Sequence, residues 1–209
     1  MVEGTQARRP SAPWDRPEVP SAFTALETAT RVGHYKWLEM RIFELLGGWV
    51  ATVPEVDVKF RLGTHCYHHS FHAELWHDRL PQLHGVDPGQ LTVAASPEVE
   101  SLLAAVGAVE AGEATIEKLV GLYRVVLPHL IAAYTYHLNN TSQLADAPTV
   151  RALNFCLLDD MEEWREGEMM LQTLIRTGED IERATARQAE LSHLMVAAGG
   201  VVGPSSIGR

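Results

Sequence analysis

His65-Cys66-Tyr67-His68-His69-Ser70-Phe71-His72 holds four of the chain's ten histidines, and six of the ten fall between His65 and His84. At about 100° per residue, a helix through this octet gathers His65, His69 and His72 within roughly 60° of one another, with His68 at their flank. The same face carries Val58, Leu62, Trp76, Leu80 and Leu83. An imidazole set into an apolar stripe needs a hydrogen-bond partner or a metal, because desolvating it unpaired costs free energy. The stretch therefore predicts a helix over 57–84 whose inward side carries ligand-type groups.

On the N-terminal side, Pro54 separates this helix from another expected over 22–50, capped by Ser21 and loosened near its end by Gly47-Gly48. Residues 1–20 hold Pro10, Pro13, Pro17 and Pro20 and read as a flexible arm. On the C-terminal side, His84-Gly85-Val86-Asp87-Pro88-Gly89 opens a loop, and Ser96-Pro97-Glu98 starts a shorter helix over 97–110. Residues 116–138 are apolar nearly all round, as in a deeply buried helix, with Pro128 as a kink point. A helix over 148–176 begins at Asp146-Ala147-Pro148, and Gly178-Glu179-Asp180 sets off a last one over 179–197. Residues 198–209 form a frayed tail. With no repeat, phosphate-binding glycine loop or alternating strand pattern, the class is all-α: one domain over 21–197, a four-helix bundle with one or two accessory helices.

The 209 residues are 46% hydrophobic, enough for one sizeable core, and carry a formal charge of −10 with a pI near 5.4. That balance argues against a nucleic-acid partner. The lack of a long apolar run or leader-like segment argues against a membrane partner and for a cytoplasmic location. Cys66 and Cys156 have neither a metal-type nor a disulfide-type spacing.

Inward-facing carboxylates sharpen the reading. Glu39 lies at the centre of a stripe of Val32, Tyr35, Ile42, Phe43, Leu46 and Val50. A buried Glu is rare unless paired or metal-bound, so it is either an ion-pair partner of Arg79 or Arg124, or a ligand. In 148–176 the stripe Val150, Leu153, Leu157, Met161, Trp164, Leu171 and Ile175 is flanked by Asp160 and joined by Glu168, while Glu162, Glu163 and Glu166 point further outward. Asp160, then Glu168 and Glu163, merit a functional reading. His129 and His137 fall on apolar sides of 116–138, as ligands or as core histidines bonded to a carbonyl or tyrosine. By distance from the intervening turns, Glu39 is level with His69 to His72, and Asp160 with His129; His137 lies nearer the bundle end.

Long helices with a mid-helix Glu39 and a histidine-bearing second helix resemble the ferritin-like superfamily. So do Ala133-Tyr134-Thr135-Tyr136-His137 and the helix start Asp146-Ala147-Pro148-Thr149-Val150-Arg151, similar to uncharacterised members. The resemblance implies a metal site in the core and chemistry with O₂ or metal oxidation. It departs from the family pattern, in which two helices each carry a Glu-x-x-His pair: Glu74-Leu75-Trp76-His77 matches in letters but faces away from the apolar stripe, and 148–176 has no histidine. The implied ligand set is Glu39, His65, His69, His72, His129 or His137, and Asp160. Two of the three helix-two histidines are expected to ligate and the others to support. Such ligands suit one or two iron ions, with manganese, copper or zinc as alternatives. Tyr35, Tyr67 and Tyr134 are the candidate catalytic tyrosines that orient a small organic substrate.

Two functions are weighed: a metal-dependent oxidase or oxygenase, and a metal-free helical protein whose histidine-rich pocket serves a partner subunit, a ligand or a cofactor-independent reaction. Iron storage fits less well, since a full carboxylate set is not visible. A homodimer is a possible assembly.

Overall fold

The computed structural model describes residues 23–83, 85 and 87–203. The expected N-terminal arm, the Ser21 cap and most of the expected tail lie outside them. Within the described residues every regular element is helical, so the chain is all-α.

Helix α1 (Ala25–Thr52) starts at Thr24 rather than Ser21, because Thr24 and Glu27 form a reciprocal capping box. It continues through Gly47-Gly48 to the break before Pro54. Helix α2 (Val56–Arg79) ends earlier than its histidine pattern suggested, giving way to a 3₁₀ turn at Leu80–Gln82 that contains Pro81. Short α3 (Pro88–Leu91) fills part of the expected loop, and α4 (Pro97–Gly107) starts on a Ser96 cap.

The apolar stretch is helical from Thr115 to Asn140 but not uniformly so. It passes from α5 (Thr115–Leu119) through a π-helical segment (Val120–Val126) into α6 (Leu127–Asn140). The wide turn precedes Pro128, which has no N–H to donate, and Leu127 reaches back five residues to the Leu122 carbonyl. Helix α7 (Ala147–Leu174) has Pro148 in its first turn. Asp146 holds the N-cap position, yet its side chain does not cap: it accepts from Arg79 at 2.6 Å instead. Helix α8 (Gly178–Ala198) is closed by a Thr177–Asp180 capping box and a left-handed Gly199.

α1 packs along α2, α2 along α7, and α7 along α6. The Tyr35 and Tyr134 rings, 4.7 Å apart edge to face, join α1 to α6. α8 covers α4 and the π-helical segment. Tyr35, Trp76, Tyr123 and Tyr134 are the largest buried aromatics, and the first, second and fourth of them stack just beyond the cluster described next. No helix among the described residues is long and apolar enough to cross a membrane.

Candidate metal centre

Glu39 on α1, His69 and His72 on α2, and Asp160 on α7 come together in the interior, each fully buried. One potential ligand atom from each lies within 4.8 Å of the other three. An ion bonded at about 2.0–2.2 Å needs opposing ligands no more than about 4.4 Å apart, so modest side-chain adjustment would let one ion touch all four. The cluster could hold a metal ion.

The local sequence explains the meeting. His69 and His72 are three residues apart and share a face of α2, and antiparallel pairing across the Pro54 break sets Glu39 beside them. Glu39 does not pair with arginine: Arg79 goes to Asp146 and Thr149, and Arg124 makes a bidentate pair with Glu168. Its partners are His69, whose Nδ1 lies 2.5 Å from Oε2, and Tyr134, whose hydroxyl donates to Oε1. The Trp76 indole N–H in turn donates to the Tyr134 oxygen at 3.1 Å.

Several atoms facing this centre lack hydrogen bonds. His72 Nδ1 lies 3.4 Å from Glu39 Oε1 and 3.6 Å from Asp160 Oδ1, bonded to neither. Both Asp160 oxygens, His69 Nε2 and Glu163 Oε2 are also buried without a hydrogen-bond partner. Buried polar atoms are nearly always satisfied, so the unbonded His72 Nδ1 and Asp160 oxygens inside the four-residue cluster need an explanation, and a cation supplies one.

Electrostatics follow the same contacts. Burial raises the Glu39 carboxyl, but the adjoining His69 and His72 outweigh it and hold the group at about 2. Burial lowers His72, but Glu39 and Asp159 outweigh it and lift the imidazole to about 10. His69, buried between Glu163 and Glu39, is likewise raised well above its ordinary value. Asp160, desolvated, is pushed well above the ordinary carboxylate value. An incoming cation would compete with protons for these raised groups.

Around this centre sits a second set. Glu163 is buried, with Oε1 2.8 Å from His68 Nδ1 and Oε2 3.1 Å from His69 Nε2 but out of hydrogen-bond alignment. This corrects its outward placement. His65 supports rather than joins the four: Nε2 lies 2.9 Å from Glu166 Oε2 and Nδ1 2.6 Å from the Tyr123 hydroxyl. Since a carboxylate only accepts, Nε2 carries the hydrogen and Nδ1 accepts from Tyr123. Asp159 holds His72 Nε2 at 3.1 Å. Tyr123, Asp159 and Glu166 are the residues that periodicity did not single out, and Glu163, although given a functional reading, was placed too far outward.

Other expected members lie elsewhere. His129 is exposed and does not reach the cluster, because the turn of α6 that carries it faces outward. Tyr67 is 67% exposed on the outer face of α2. His137 is buried one layer away, its Nδ1 3.2 Å from the Tyr35 hydroxyl, and burial lowers it to about 4. Tyr35 donates to the Ala133 carbonyl at 3.4 Å and touches no member of the cluster through its hydroxyl. Tyr134 alone of the three tyrosines contacts Glu39. Glu74 and His77 are exposed, as their angle on the helix predicts.

A groove of about 580 Å³ runs between the start of α2 and the end of α7, over Val58, Met170 and Leu174. Arg61 and Glu166 line it, 2.7 Å apart. Through Glu166 the groove reaches His65. Comparison of the chain with protein-family models, curated proteins and solved structures gives no match in any of the three.

Proposed function

We propose that the chain is a metal-dependent oxidoreductase of ferritin-like, four-helix-bundle architecture that binds a first-row transition ion, iron by ligand type, and acts on a small organic molecule. The observation that carries this reading is the buried quartet Glu39, His69, His72 and Asp160 with its orphaned atoms. Two imidazoles and two carboxylates suit iron, zinc or manganese, and a bound ion would supply a Lewis-acid and redox centre. Tyr134, fixed by Trp76, orients Glu39, and Asp159 orients His72, as groups behind metal ligands do. The groove lined by Glu166 is of a size to seat a small substrate.

A specific observation favours a second reading: the short Glu39–His69 contact is already a charge-assisted pair, so part of the cluster is satisfied without metal. In that case the residues form a polar core beside a ligand groove. The deciding experiment measures metal by mass spectrometry after chelation and anaerobic reloading, in the wild type and in Glu39→Gln and His69→Ala/His72→Ala variants. One or two equivalents of iron or manganese, absent from folded variants, are expected. A folded wild type that takes up no metal under any loading condition would sink the metalloenzyme reading and leave the polar-core one.

A further inference from the structure

The quartet is sealed: Glu39, His69, His72 and Asp160 each show no exposed surface. A cation reaching it must cross the protein surface somewhere, and the polar groups that touch the cluster from outside mark where. His68 is 28% exposed and its Nδ1 lies 2.8 Å from Glu163 Oε1. Asp159 is 29% exposed and its Oδ2 lies 3.1 Å from His72 Nε2. They stand one position before His69 and Asp160 on the facing helices α2 and α7, so both rim residues border the α2–α7 seam at the depth of the quartet.

Glu163 bridges the rim and the interior. One oxygen meets His68 at the surface; the other, buried and without a hydrogen bond, faces His69 Nε2 at 3.1 Å and His65 Nδ1 at 3.9 Å. A carboxylate with one engaged and one idle oxygen can rotate about its side-chain torsions and keep contact with a cation moving inward.

We infer that His68, Asp159 and Glu163 form a transient capture site for a divalent first-row cation, which loses its water there and passes along Glu163 into the buried quartet. The inference rests on the metal reading proposed above and adds the route by which the site fills. Capture by a carboxylate and an imidazole at the rim replaces hydration step by step, so that the bare ion never faces the apolar wall.

Cobalt(II) tests the route, because its visible absorption reports ligand binding without any catalytic turnover. Stopped-flow mixing of chelated wild-type protein with cobalt(II) is compared with His68→Ala, Asp159→Asn and the double variant, with Glu74→Gln on the exposed face of α2 as control, and folding is checked by circular dichroism. The expected result is cobalt uptake at least about tenfold slower in His68→Ala and in the double variant, and a control that matches wild type. His68→Ala should keep the wild-type final spectrum and stoichiometry, because the His68 imidazole bonds Glu163 and not a member of the quartet. Asp159→Asn is read for rate alone, because Asp159 orients His72. Unchanged uptake in the folded double variant overturns the route. Loss of the final spectrum in folded His68→Ala also overturns it, since His68 would then be a permanent ligand. No cobalt spectrum in the wild type would instead refute the metal reading, and the route with it, so the two failures are told apart.

Discussion

Asp160 has two buried oxygens, no hydrogen bond to either, and a carboxyl whose charged form burial disfavours. An interior acid in that state contributes little to stability, and its cost is tolerated only where the ionised form has a use. An amide copies the shape and neutrality of the protonated acid but not the negative charge a cation needs. Asp160→Asn is therefore expected to leave metal-free stability within about 0.5 kcal/mol of wild type, because the change is nearly isosteric. Metal affinity should fall by at least the roughly hundredfold that loss of a supporting group costs. Urea unfolding and metal titration of the same preparation check both parts; a large loss of stability with retained affinity would contradict them.

At the scale of elements, the π-helical segment and α7 fit together at one point. Gly167 leaves room for the Tyr123 ring: a Cβ there would lie 2.1 Å from Tyr123 Cγ. The π-helical segment sets that ring against α7 with its hydroxyl on His65. Gly167→Ala must push the ring or part the helices, a cost of about 3 kcal/mol for overpacking of this severity. It should also release His65 from its fixed tautomer. Denaturant melting measures the first effect, and the His65 ring-proton resonances the second.

The same helix shows where the sequence could and could not be read. The faces of α1 and α2 were legible because Glu39, His69 and His72 sit among large apolar residues that are themselves buried. On α7 the exposed Met161 and Trp164 drew the inferred stripe off the true inward face, which runs through Ala152, Cys156, Asp160, Glu163, Gly167 and Met170. Small residues such as Ala152 and Gly167, the latter making room for Tyr123, weigh little in a hydrophobic pattern, so Glu163 read as outward. His129 failed for a related reason. On a helix apolar nearly all round, periodicity does not choose a face, and the π-helical turn shifts the phase of everything after it.

For the whole molecule, the histidines with shifted imidazoles oppose one another in their response to pH. Burial lowers His137 to about 4, and lowers His34, His65 and His129 in the same direction. Their neutral packing is fully favourable above the ordinary histidine value of 6.5 and is lost as pH falls from there toward 4, by up to about 3 kcal/mol for His137 alone. His72, lifted to about 10, and His69 and His68, also raised, behave oppositely. Their charged contacts are complete below 6.5 and lost as pH climbs toward 10. The depressed Glu39 and Glu163 matter only below the ordinary Glu value of 4.5. Metal-free protein should thus be most stable near pH 6.5, and metal should bind more tightly as pH rises and protons leave its ligands. Unfolding midpoints from pH 4 to 10, with and without metal, check this; a monotonic metal-free profile across that range would contradict it.

The tight pairing of α1 with α2 also sets an order in time. The two helices are neighbours in the chain, joined across Val53–Glu55, and form the most extensive helix–helix contact in the molecule. Contacts between close neighbours cost the least loop-closure entropy and are the natural nucleus of folding. That hairpin alone carries Glu39, His69 and His72, three members of the quartet, and only Asp160 arrives with the distant α7. Substitutions such as Ile42→Val or Leu62→Ala in the hairpin should slow refolding, whereas Leu191→Ala in α8 should chiefly speed unfolding. A cation present during refolding would then meet a three-ligand half-site before the fold has closed over it.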